Sequence, residues 1–185
     1  MNATLAPGRL GKALKFSGDG WVTVSDSASL DLTTGMTLEA WVYPTVEIYD
    51  WRDVIMKQKS WSADVKQGAS YYLCASSQWN PPVGGITISS PDERMVRGKN
   101  RLARNRWTHL ATTYDGSSQR LYVNGVLIAS RPQTGSIRTG SGPLRIGGNG
   151  LWGEYFTGLI DEVRVYKRAL TIDEIRSDMT TPVNR

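Results

Sequence analysis

The chain has 185 residues, with 22 Lys and Arg against 17 Asp and Glu, a formal net charge of +5, one cysteine and one histidine. That length suits one domain over residues 1–185 with a full core, and no apolar run approaches the roughly 18 residues of a membrane helix. Cys74 alone closes no intrachain disulfide, and the opening MNATLAPGRLGKALKF lacks the apolar stretch of a secretory leader, as would a module of a longer secreted chain.

Residues 13–16 and 21–24 read as two short strands joined by a tight turn at Ser17-Gly-Asp-Gly20. Residues 36–43 alternate, with Leu38, Ala40 and Val42 on one face and Glu39, Trp41 and Tyr43 on the other, and Pro44 ends the run. A long irregular region follows, with strands at 53–57, 70–75 and 85–89. Arg94, Arg97, Lys99, Arg101, Arg104 and Arg106 then form a basic stretch, read as a solvated loop or as a patch for an acidic ligand. Residues 107–115, 119–123 and 126–130 read as strands, the last two joined by Asn124-Gly125, a type I′ hairpin signature. After a Gly/Ser/Thr loop come a short strand at 143–147 and an aromatic loop at 148–157. Residues 158–170 form a strand that places Leu159, Asp161, Val163 and Val165 on one face. A capping box at Thr171-Ile-Asp-Glu174 then starts a short helix. Short strands, turn signals and one terminal helix predict an all-β antiparallel sandwich or jelly roll.

Five segments in this order, GRLGKALKFSGDGWVTV, MTLEAWVYP, RWTHLATTYDGSSQRLYVNG, LRIGG and FTGLIDEVRVYKRALTIDEI, resemble the laminin-G-like jelly-roll modules of the concanavalin A-like lectin and glucanase superfamily. The resemblance runs from about residue 11 to 175. It implies two antiparallel sheets of six or seven strands each. The fold hosts lectins, adhesion modules and glycosidases, so function must come from the site. Related members hold a structural calcium. Ser17, Asp19 and Asp161 are the candidate ligands here, because in such modules the first and last strands are commonly neighbours and the two carboxylates would converge; Asp50, Asp53 and Asn149 from the rim loops are weaker alternative ligands. The alternative is that Asp19 caps its turn and Asp161 accepts backbone N–H bonds.

Of seven Trp, Trp21, Trp41 and Trp107 lie on strands and are expected to pack in the core. Trp51, Trp61, Trp79 and Trp152 fall in polar loops with Tyr49 and Tyr155 nearby, where an exposed aromatic plane suits the apolar face of a sugar. Arg52, Asp53, Gln78, Asn80, Asn149 and Glu154 would reach the hydroxyls. His109 is expected to be structural, since one histidine without a second His or Cys ligand builds no zinc site, and Cys74 to be a small buried hydrophobe. Glucanases of this fold align acidic residues on one strand. No such run occurs here, leaving only Glu39 with Glu162 as a hydrolytic pair. No nucleic-acid-binding motif is present. The expectation is a non-catalytic carbohydrate-binding module, secreted or on a cell surface, as a monomer or part of a larger chain. Its ligand-binding set is Trp51, Arg52, Trp61, Trp79, Asn80, Asn149, Trp152 and Tyr155, its ligand a polysaccharide or glycan with acidic groups, and Ca2+ its structural ion. The competing readings are an adhesion module and a small glycoside hydrolase or lyase.

Overall fold

The computed structural model describes residues 3–60, 68–89 and 92–183. Among the described residues, thirteen strands, a 3-10 turn at Ala28–Leu30 and one α-helix follow one another as β1 (Ala3–Pro7), β2 (Lys12–Ser17), β3 (Val22–Val24), β4 (Met36–Pro44), β5 (Arg52–Gln58), β6 (Ala69–Ser76), β7 (Val83–Ser89), β8 (Asp92–Arg97), β9 (Thr108–Tyr114), β10 (Ser118–Val123), β11 (Val126–Pro132), β12 (Leu144–Ile146), β13 (Thr157–Tyr166) and α1 (Ile172–Asp178). They form a 7-stranded sheet ordered β1-β2-β13-β4-β9-β10-β11 and a 6-stranded sheet ordered β3-β12-β5-β6-β7-β8. Among the described residues the strand pairings are antiparallel. The jelly-roll sandwich read from the sequence is the observed fold.

The apolar faces meet between the sheets. Leu38, Ala40 and Val42 of β4 pack with Ile55, Tyr71, Leu73 and Ile86 across the sandwich. Both faces of β4 are closed, because the C-terminal segment roofs its outer side: Trp41 Nε1 donates to the Met179 carbonyl at 3.2 Å. Asn124 and Gly125 have φ of 50° and 69°, the left-handed pair a type I′ turn demands. α1 has the reciprocal cap: Glu174 N donates to Thr171 Oγ1 at 3.3 Å and Thr171 N to Glu174 Oε2 at 2.8 Å. Through buried Ile175 it covers Ala111, Tyr122 and Leu170. Thr171→Ala is expected to cost about 1 kcal/mol in denaturant titration, and Thr171→Ser to restore it.

The structure differs from these expectations in three places. The turn after β2 joins strands of different sheets, β2 and β3, and so crosses the sandwich. Residues 3–7 and 92–97 form the edge strands β1 and β8, the second beneath part of the basic stretch. The regular alternation of the last strand breaks at a bulge between Asp161 and Arg164, where Glu162 has φ 52°. The bulge puts Asp161 opposite Trp41 and Arg164 opposite Glu39, on the outer face, while Ile160, Val163 and Val165 pack on the core.

Strand register gathers the loops that carry the candidate residues. Ser17 pairs with Thr157, Pro44 with Gly158 and Val42 with Thr108 in the larger sheet. Ile146 pairs with Val22 and Ile55, and Val83 with Cys74 and Arg97, in the smaller one. Connections 18–21, 45–51, 77–82, 98–107 and 147–156 therefore meet at one end of the sandwich.

Candidate functional site

At that end, residues 77–82 hold an aromatic side chain outward. Trp79 and Asn80 both take left-handed backbone, with φ of 71° and 74°. The turn is fastened by Asn80 N to the Ser77 carbonyl at 2.6 Å and by Ser77 Oγ to the Pro81 carbonyl at 2.8 Å. Asn80 Oδ1 accepts from Asp50 N at 3.1 Å, tying this loop to 45–51. Two consecutive non-glycine residues in this region carry a conformational cost. Trp79 is nevertheless 76% exposed, so core burial does not account for it.

The basic stretch meets these aromatics. Arg97 sits 4.9 Å from the Trp79 ring centroid and 6.0 Å from that of Trp51, and its Nη1 donates to the Gln78 carbonyl at 3.0 Å. Arg101 lies 4.5 Å over Tyr49, with Glu47 at 3.5 Å. Cation–π contact orders both guanidiniums while leaving donors for a ligand. Half-buried Trp51 meets Tyr72 edge-on at 6.1 Å. Arg52 turns back onto the Trp51 carbonyl.

Across the same end, residues 147–156 hang on Asn149. Its buried amide Nδ2 donates to Asp53 Oδ2 at 2.6 Å and to Glu154 Oε2 at 2.9 Å, while its Oδ1 accepts from Trp152 N at 2.8 Å. Trp152, 43% exposed, stands at the loop tip. Tyr155 stacks on Trp21 at 5.9 Å, and Arg145 lies 5.1 Å over the same Trp21 ring. Trp21 is thus a surface aromatic, not the core residue the strand pattern implied. Trp107 packs half-buried on Tyr43, and Trp41 is buried, but on the outer face of β4 beside His109. Burial pushes Asp53 up to about 6 despite its bonds to Cys74 and Asn149. Burial, then the Asp53 charge, pushes Glu154 up to about 8. The Cys74 thiol donates to Asp53 Oδ1 at 3.0 Å and is raised well above the thiol range by burial. It stays protonated and unreactive.

Between the loops lies the outer face of the smaller sheet. One row runs Arg145, Met56, Tyr72, Gly85 and Met95, the next Asp53, Cys74, Val83 and Arg97. Gly85 lets the Tyr72 ring cross β7: a Cβ there would sit 2.0 Å from Tyr72 Cζ.

The proposed calcium ligands do not converge. Ser17 stands opposite Thr157, so Asp161 lies four residues, about 13 Å, along the ladder from the end that bears Asp19. Asp161 Oδ2 accepts from Leu10 N at 3.0 Å and Oδ1 from Glu162 N at 2.9 Å. Its carboxylate secures the turn at residues 8–11, and the three residues do not fit one ion. Glu39 and Glu162 do come together, with Arg164 at 3.8 Å and 3.0 Å respectively. Glu162 also accepts from Val183 N beneath the C-terminal segment. At 0% and 5% exposure, both residues are closed off from solvent. Of the sequence-derived binding set, Trp51, Arg52, Trp79, Asn80, Asn149, Trp152 and Tyr155 share one end of the fold. Trp61 lies outside the described residues. In the sequence Arg97 is only part of a charge run; the seating of its guanidinium on Trp79 is a tertiary fact without a local motif.

A family profile described as the concanavalin A-like lectin/glucanases superfamily matches residues 16–176. Human pappalysin-1 is 29% identical over 197 residues, which cover 97% of this chain and 12% of that protein. The chain therefore spans a small part of its curated relative. Domain 4 of AbnA, a GH43 extracellular arabinanase from Geobacillus stearothermophilus in complex with arabinotriose, superposes with a TM-score of 0.76 at 23% identity, covering 97% of this chain and 82% of that one. The Ruminococcus gnavus IT-sialidase CBM40 bound to α2,3-sialyllactose gives 0.72 at 16% identity, covering 89% and 95%. At these identities the structural likeness is one of fold. The profile match, spanning most of the chain and agreeing with the observed two-sheet topology, makes this protein a laminin-G-like member of the concanavalin A-like lectin/glucanase superfamily.

Proposed function

We propose that the protein is a non-catalytic carbohydrate-binding module of a secreted or cell-surface protein, and that it binds an acidic glycan at the loop end of the sandwich. The observation that carries this reading is Trp79, largely exposed on strained backbone with Arg97 against its ring. An aromatic plane receives the C–H face of a pyranose, and a guanidinium beside it presents paired donors to a carboxylate or sulfate. Asn80 and Gln78 border the same ring, and Trp152 offers a second plane across the end. Support also comes from two proteins of similar fold, the arabinanase domain in complex with arabinotriose and the CBM40 bound to α2,3-sialyllactose. The deep burial of Glu39, Asp53 and Glu162 favours binding over hydrolysis.

The test is titration with neutral, uronic-acid and sulfated oligosaccharides. Trp79→Ala and Trp152→Ala are each expected to weaken binding tenfold or more, about 1.4 kcal/mol, with unchanged melting temperature. Equal affinity in both variants would refute the assignment, as would no binding to the panel by the parent protein. Binding is also expected to weaken with added salt, because Arg97 and Arg101 are screened.

A further inference from the structure

The loop bearing Trp152 is attached to the sheet in an unusual way. Two carboxyl groups from different elements, Asp53 on β5 and Glu154 in the loop, share the single amide nitrogen of Asn149, at 2.6 and 2.9 Å. The other end of the same amide accepts from Trp152 N. One side chain thus bridges β5, the loop stem and the loop tip. Asp53 and Asn149 are both fully buried and Glu154 is half-buried, so water only partly screens the two carboxyls from each other.

The groups acting on this bridge are acidic or neutral, Tyr72 from β6 being one of the neutral ones. Asp50 from the 45–51 loop and Glu93 from β8 add to the field of Asp53 at Glu154, and Cys74 from β6 faces Asp53 as a neutral thiol. The nearby cations are engaged elsewhere: Arg52 by the Trp51 carbonyl, Arg97 by two indole rings and Gln78. An amide with two N–H donors satisfies one oxygen of each carboxyl but neutralises neither. The bridge holds without repulsion only while one carboxyl keeps its proton.

We propose that Glu154 is a positioning residue: protonated, it lets Asn149 clamp the 147–156 loop and set Trp152 for ligand, and ionised, it loosens the clamp and releases Trp152. Glycan binding on the Trp152 side would then fall in mildly alkaline solution. This last consequence rests on the function proposed above; the loop movement does not.

The experiment separates the two. The protein is labelled with 5-fluorotryptophan, and the 19F resonance of Trp152 is identified by its loss in Trp152→Phe. In the parent protein that resonance is expected to shift between pH 6.5 and 9.5 with a midpoint near the value of about 8 to which Glu154 is raised. In Glu154→Gln, which keeps an uncharged side chain at every pH, it is expected to stay at its low-pH position. A flat parent titration overturns the proposal without recourse to any variant, and so does the same transition persisting in Glu154→Gln. A transition that Glu154→Gln abolishes supports the clamp even if no oligosaccharide binds, in which case only the glycan assignment fails. If a uronic-acid oligosaccharide binds the parent, its affinity should drop at least fivefold from pH 7 to 9 and stay constant in Glu154→Gln; equal loss in both proteins contradicts the clamp.

Discussion

Glu39→Gln is expected to flatten the fall in stability between about pH 5 and 8. Glu39 is fully buried on β4 under the C-terminal segment, with Arg164 at 3.8 Å and His109 at 3.9 Å. Burial, reinforced by the Asp178 carboxyl, outweighs the Arg164 guanidinium and pushes Glu39 up to about 8. An acid raised in the folded state holds its proton more tightly folded than unfolded. Its contribution is therefore intact below the ordinary carboxylate range and is lost as pH rises from there to about 8. Each pH unit in that window costs up to roughly 1.4 kcal/mol, and the whole shift is on the order of 4 kcal/mol. Glutamine matches the protonated acid in shape and does not titrate. Urea titrations from pH 5 to 9 should show the variant gaining on the parent throughout the window; parallel profiles would show that Glu39 is not the group responsible. Asp53 and Glu154, both raised, keep part of the slope in either protein. His109 runs the other way. Burial pushes it down to about 4, so the stability of its neutral form is lost as pH falls from about 6.5 toward that value.

Lys57→Met is expected to destabilise the domain by about 3 kcal/mol. Lys57 is 1% exposed, and its Nζ donates to Asp26 Oδ1 at 2.7 Å and to the Gly140 and Gly142 carbonyls, each at 2.6 Å. One ammonium joins β5 to two segments outside the sheets, 25–35 and 133–143. Methionine fills the space but makes none of these bonds, leaving two carbonyls and a carboxylate short of a donor. The Asp26 side chain is 32% exposed, so water repays part of the loss, and the expectation lies at the low end for a broken buried pair. The melting temperature should drop by roughly 6–12 °C. A drop below 2 °C would mean that the two segments are held by their own packing.

Local chemistry was legible in the sequence, and tertiary chemistry much less so. β4, β9 and the β10–β11 hairpin were readable from period-two alternation and Asn124-Gly125, and α1 from its capping box. β1 and β8 were not, because each is a sheet edge with one neighbour and a weak apolar pattern. The bulge at Glu162 carries no glycine to announce it, and it reversed the face assigned to Asp161. Lys57 alternates along β5 as a surface lysine would, and nothing local reports that two distant loops enclose it. The loop tryptophans were found because exposed aromatics in polar surroundings are costly. Their partners were missed because Arg97 reaches Trp79 only through the pairing of β7 with β8. Trp21 and Trp41 both read as strand tryptophans, yet one stacks on Tyr155 at the loop end and the other is roofed by residues that follow the last strand.

The central claim is that one end of this sandwich, and not a sheet face, receives the glycan. Indole N–H shift mapping during titration with uronic-acid and sulfated oligosaccharides tests it most directly, since each tryptophan reports from its own part of the surface. The Trp79 and Trp152 indole resonances should move saturably, with Trp51 following, while Trp41, on the outer face of β4 beneath the C-terminal segment, stays fixed. Saturable movement of Trp41 with Trp79 and Trp152 unchanged would contradict binding at the loop end.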